Sequence, residues 1–140
     1  METLQPAIAS PTSAGPLRIC LLGELRVLRC GEPVALPASK RSRALLGYLI
    51  SVGRAESRQA LCDLLWDGPD DPRAELRWSL SKLRPVVDDA AATRIRADRE
   101  RVVFDTHHAG TDIAELHALL DAGIASTPVP ALATWRLCRP

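Results

Sequence analysis

The apolar positions change period several times along the chain. From Leu17 to Leu36 they alternate, at Leu17, Ile19 and Leu21, then at Leu25 and Val27, with PVAL closing the run. A period of two predicts strands. Gly23 and Gly31 separate the runs, and Arg29-Cys30-Gly31-Glu32 reads as a turn, with Gly31 free to take a positive φ. The prediction is an antiparallel meander of three short strands. After Leu36 the period becomes helical. Ser39 offers a cap, Leu45, Leu46 and Leu49 form a stripe, and Gly53 stops the helix. Ser57 caps a second helix, RQALCDLLW, with Ala60, Leu61, Leu64 and Leu65 expected inward and Gly68 ending it.

Asp71-Pro72 opens a third helix, with the acid as N-cap and proline at the first helical position, where its missing N–H costs nothing. Pro85 is expected to end or bend it. RIRADRERVVFD then predicts a hairpin: Ile95 and Ala97 lead to a charged tip at Asp98-Arg99-Glu100, and Val102 to Phe104 return into a small sheet. His107 and His108 are read as a plain loop. Asp112 to Glu115 resembles a capping box and opens a fourth helix, with Leu116, Leu119 and Leu120 on one side. Those leucines need cover, either from the preceding domain, from more chain or from a second copy. PVPALATWRLCRP is expected to add a short helix with Leu132 and Trp135 inward. The first 16 residues, with three prolines, no basic start and no long apolar run, are read as a flexible tail rather than a signal peptide or membrane span.

Composition narrows this to one ordinary domain with extra pieces. The 140 residues are 46% hydrophobic but only 4% aromatic, so the core must be mainly aliphatic. The net charge of +1 hides a strong pattern. Lys40 to Arg58 carries five cations and one anion, and Arg73 to Arg84 carries four cations and one anion. Between them stand Asp63, Asp67, Asp70 and Asp71. No two of the four cysteines (Cys20, Cys30, Cys62 and Cys138) have Cys-x-x-Cys spacing, and no histidine sits at a zinc-like offset from a pair. Cys20 and Cys62 fall in apolar runs. A reducing, cytoplasmic setting is expected, with no metal and no cofactor. Enzyme classes fare badly: there is no glycine-rich phosphate loop, no nucleophile elbow and no convergent acid pair beyond the 67–71 loop.

The third helix carries the unusual signal. At about 100° per residue, Leu76, Leu80, Leu83 and Val87 share one face. Trp78 lies nearly opposite, with Lys82 one turn on, flanked by Arg77, Ser81 and Arg84. A large ring placed outside the core among cations suits either a nucleic-acid groove or a protein partner.

The ordered set LRICLLGELRVLRCGEPVALPASKRSRALLGYL, SRQALCDLLW, RAELRWSLSKLR and IRADRERVVFD resembles the OmpR/PhoB-type winged-helix DNA-binding domain. It is more closely similar to the version that opens the antibiotic-regulatory-protein (SARP) activators and related bacterial transcriptional activators. The resemblance implies an α+β fold: a three-stranded antiparallel N-terminal sheet, three helices and a C-terminal hairpin wing, spanning residues 17–105. Residues 111–140 would begin a helical, TPR-like activator domain. It makes 72–87 the recognition helix, lying in the major groove, and 94–105 the wing, on the adjacent backbone or minor groove. The function implied is a transcription regulator that binds double-stranded DNA, paired side by side on direct repeats.

The expected DNA contacts follow from that frame and from charge. Lys40, Arg41 and Arg43 oppose the dipole at their helix start, so they are not placed for helix stability. Ser57 and Arg58 open the second helix, a natural phosphate site. Arg73, Arg77, Trp78, Ser81, Lys82 and Arg84 lie on the third helix, and Arg99 and Arg101 on the wing. Asp67, Asp70 and Asp71 form an acidic connector that in the resembled family touches RNA polymerase; a capped surface loop is the plainer reading. Where relatives often carry Asn and Gln on the recognition helix, this chain has Glu75 and Trp78. The rival reading is a winged helix used as a protein-interaction or intramolecular regulatory module of a larger protein.

Overall fold

The computed structural model describes residues 16–68 and 71–123. The tail before residue 16, Asp70 and the expected last helix lie outside the described residues. Strands β1 (Leu17–Cys20), β2 (Arg26–Arg29) and β3 (Glu32–Val34) form the expected antiparallel meander, with Ile19 opposite Val27 and Val27 opposite Val34. Cys30 and Gly31 both take positive φ, 52° and 81°. A two-residue hairpin needs that sign at both positions to match the strand twist.

Helix α1 (Lys40–Val52) is capped by Ser39, whose side chain accepts from the Ser42 N–H, and ends at Gly53 in the left-handed region. A two-residue strand, β4 (Glu56–Ser57), leads into α2 (Arg58–Leu65), where Ser57 accepts the Ala60 N–H at 3.0 Å. Helix α3 (Pro72–Val87) starts at the Asp71 cap, with the Ala74 N–H at 2.9 Å. It runs through Pro85 rather than ending there. The carbonyl that Pro85 leaves without an N–H partner belongs to Ser81, and both residues are exposed, so water can satisfy it. Val86 and Val87 remain buried and hold the last turn to the core.

The hairpin of β5 (Ile95–Ala97) and β6 (Arg101–Phe104) forms as expected. A single turn at Thr106–His108 follows, then β7 (Ala109–Thr111) and α4 (Asp112–Asp121). Two pairings go beyond the sequence reading. The first sheet has four strands, β3-β2-β1-β7, with β7 parallel to β1, and the expected loop at His107 and His108 is a single turn that leads into β7. The second sheet runs β4-β6-β5, so the returning hairpin strand pairs with the entry to α2. Among the described residues the fold is therefore α+β, with four helices and two sheets.

The core joins both sheets to α1, α2 and α3. Leu17, Ile19 and Val27 meet Leu45, Leu46 and Leu49, then Leu61, Leu76, Leu83, Ile95, Val102 and Phe104. Burial of this kind is the dominant stabilising term. The inward stripe of α2 differs from expectation. Leu61, Cys62 and Trp66 are buried, whereas Ala60 is exposed and Leu64 is 55% exposed. The helix ends at Leu65, short of Gly68, and Trp66 turns back into the core as its C-cap. Burial pushes the Cys62 thiol above its usual range. Cys20 is buried as well. Among the described residues, no helix is long and apolar enough to cross a membrane.

Candidate nucleic-acid interface

Three devices fix α3 and the hairpin. Ser42 on α1 and Ser79 on α3 are both fully buried, and their hydroxyls meet at 2.9 Å. Two small residues at a helix crossing let the backbones approach, and the bond satisfies both polar groups. At the other end, Arg94 is only 4% exposed. It donates to the carbonyls of Val87 (2.6 Å) and His108 (2.9 Å) and to Asp89 (2.9 Å). The arginine holds the Asp89 carboxyl below its usual range, helped by the N–H groups of Ala91 and Ala92. Asp88 accepts the N–H groups of Arg94 and Ile95, at 2.7 and 3.0 Å. The exit of α3 is thus tied to the first strand of the hairpin.

The third device latches the hairpin tip. The Arg58 N–H donates to the Glu100 carbonyl and its Nε to the Asp98 carbonyl, both at 2.7 Å. Asp98 itself accepts the N–H groups of Glu100 and Arg101, each at 2.7 Å. Those donors, Arg101 first, with the charges of Arg101 and Arg58, hold its carboxyl below the usual range. The start of α2, the tip of the hairpin and α3 therefore form one connected surface.

On that surface, the outward face of α3 falls where its period places it. Trp78 is 49% exposed while Leu76, Leu80, Leu83 and Val87 are buried. The Lys82 ammonium lies 5.7 Å from the centre of the Trp78 ring, a cation–π interaction that orders both. Ser81 donates its hydroxyl to the Trp78 carbonyl at 2.6 Å, so its proton is engaged within the helix. Arg73, Arg77 and Arg84 are exposed. Arg58, Arg73, Arg77 and Arg99, from three elements, line one cleft together with Leu76, Ala97, Asp71 and Asp98.

The remaining expected residues are not gathered there. Lys40 and Arg41 are exposed on the first turn of α1, and Arg43 reaches back toward the Ala38 carbonyl at 3.5 Å. Arg101 lines a separate hollow on the hairpin with Arg96 and Val103. Ser57 spends its side-chain oxygen on the α2 cap. Asp67 is exposed at the end of α2, and the carboxylate of Asp71 caps α3. No group of three or more His, Cys, Asp or Glu suited to a metal occurs among the described residues.

No family model matches the chain. A stretch of 82 residues, 57% of the chain, is 33% identical to Regulatory protein AfsR of Streptomyces coelicolor. The chain is similar to a regulatory protein. Among solved structures, the fold resembles Mycobacterium tuberculosis EmbR, determined in complex with a low affinity phosphopeptide. The TM-score is 0.63 at 26% identity, over 77% of this chain. The chain spans 8% of the length of AfsR and 30% of the EmbR chain.

Sequence reasoning missed Arg94, the Ser42–Ser79 contact and the latch between Arg58 and the hairpin tip. The first had a signal: an arginine beside two aspartates at a helix exit. The other two join residues 37 and 40 positions apart, and no local pattern announces them.

Proposed function

We propose that this chain is the DNA-binding module of a bacterial transcriptional regulator, built as an OmpR/PhoB-type winged helix. Helix α3 enters the major groove, and the β5–β6 hairpin is the wing, resting on the adjacent backbone or minor groove. The observation that carries the reading is the cleft that α3 shares with the hairpin, lined by four arginines, on a helix that also exposes Trp78 with Lys82 over its ring. A major groove admits a helix of this width and presents thymine methyls to an apolar ring. Lys40, Arg41, Arg43, Ser57, Arg58, Arg73, Arg77, Ser81, Lys82, Arg84, Arg99 and Arg101 contribute phosphate or base contacts. Asp67, Asp70 and Asp71 offer an acidic face to a basic patch on RNA polymerase. The chain works in the cytoplasm, side by side with a second copy on direct repeats, and residues 111–140 open a helical activator domain. No catalytic role is assigned.

Selection of genomic fragments by the purified chain tests this. Enrichment of a recurring motif, arranged as direct repeats, supports the reading. Recovery of random fragments only would remove the sequence-specific part. Recovery of none would favour a winged helix that binds protein through the Trp78 face.

A further inference from the structure

The cleft between α3 and the hairpin has an unbalanced charge. Arg58, Arg73, Arg77 and Arg99 supply four positive charges around it, and Asp71 and Asp98 supply two negative ones. Neither carboxylate forms an ion pair with one of these arginines, although the charge of Arg58 reaches Asp98. Asp71 is occupied by the Ala74 N–H, and Asp98 by the N–H groups of Glu100 and Arg101. The ion pairs of the described residues all involve other cations. Arg58 spends its Nε on the Asp98 carbonyl, and Arg73 reaches Gln59 only at 3.4 Å. Most of the guanidinium donors are therefore unspent. Guanidinium groups bind phosphate oxygens in paired fashion, more strongly than neutral donors do.

We propose that this cleft seats two adjacent phosphodiesters of one DNA strand, so that α3 and the hairpin grip the same short piece of backbone. This rests on the DNA-binding reading above. Each phosphodiester carries one negative charge, so two of them balance the net charge of the lining. The arginines come from α2, α3 and the hairpin tip, and the Arg58 latch already fixes the tip against α2. The seat is therefore formed before DNA arrives, and binding need not order the hairpin.

The test uses a duplex selected by the chain, remade with a single neutral methylphosphonate at each position of each strand in turn. The expected result is that affinity falls about tenfold at two adjacent positions on one strand, the scale of a lost charge-assisted hydrogen bond. The double variant Arg77→Ala/Arg99→Ala should lose that sensitivity, so that neutralising those two phosphates costs it almost nothing further. Both side chains are exposed, so its melting temperature should match that of the parent chain. If the chain binds DNA but penalties are spread evenly, or the double variant keeps the same sensitive positions, the seat is refuted while the DNA reading stands. If the unmodified duplex shows no binding even at low ionic strength, the DNA reading falls and this proposal with it.

Discussion

Trp78 is where the two functional readings part. It is half-exposed on the face opposite the core stripe, so Trp78→Ala leaves no internal cavity. Stability should change by less than about 1 kcal/mol, as at surface positions, even though Lys82 would no longer have a ring beneath it. Affinity for a selected site should fall by about 1–3 kcal/mol, the scale of one base contact. Affinity for random duplex should hardly move, because the indole releases no counterions. Melting temperature and both affinities, measured on the one variant, check all three statements. A loss of partner binding with DNA affinity intact would instead mark Trp78 as a protein contact.

At the scale of elements, most boundaries were legible because their signals are local. Ser39, Ser57 and Asp71-Pro72 open helices through their own side chains, and Gly53 closes one through its own φ. The phase of α3 was legible because six buried positions over-determine it. The phase of α2 was not, since eight residues give few turns to average and Leu64 points to solvent. Non-local pairings were invisible in principle: β4 with β6 and β7 with β1 depend on where distant strands lie. Asp112 is the sharpest case. Its spacing to Glu115 reads as a capping box, yet Thr111 is the cap, accepting the Ala114 N–H at 3.1 Å. The Asp112 carboxylate, 6% exposed, instead accepts the N–H groups of Leu21 and Leu22 at 2.8–2.9 Å. Arg18 and Glu115 form a two-pronged pair beside it, and the glutamate is the first cause that lifts the arginine above its usual range. Together they dock α4 on β1, with Leu116 and Leu119 half-buried and Leu120 50% exposed. Asp112→Ala should therefore lower stability by about 1–3 kcal/mol by stranding the two N–H groups. Hydrogen exchange in α4 should quicken while DNA affinity stays unchanged. Protection of α4 that survives the substitution would mean that the Arg18–Glu115 pair and apolar contacts suffice to hold it.

Over the whole molecule, the net charge of +1 is a poor guide, because charge is segregated. The arginines around the cleft and Lys82 beside Trp78 stand on one joined surface, while Asp63 and Asp67 are exposed on and just beyond α2. The basic and acidic blocks are visible as runs along the chain. Their convergence at residues 58, 73, 77 and 99 is not, since the helix-to-hairpin latch that brings them together is tertiary. Whether this surface holds DNA through phosphates is tested most directly by the salt dependence of duplex binding. With Lys40, Arg41, Arg58, Lys82 and Arg99 each on a phosphate, log affinity against log salt should have a slope of about −4 to −5. Replacing Lys82 and Arg99 together with alanine should make that slope shallower by about 2, with melting temperature unchanged. Duplex binding that is absent at low ionic strength, or that keeps the full slope without those two cations, would contradict the account.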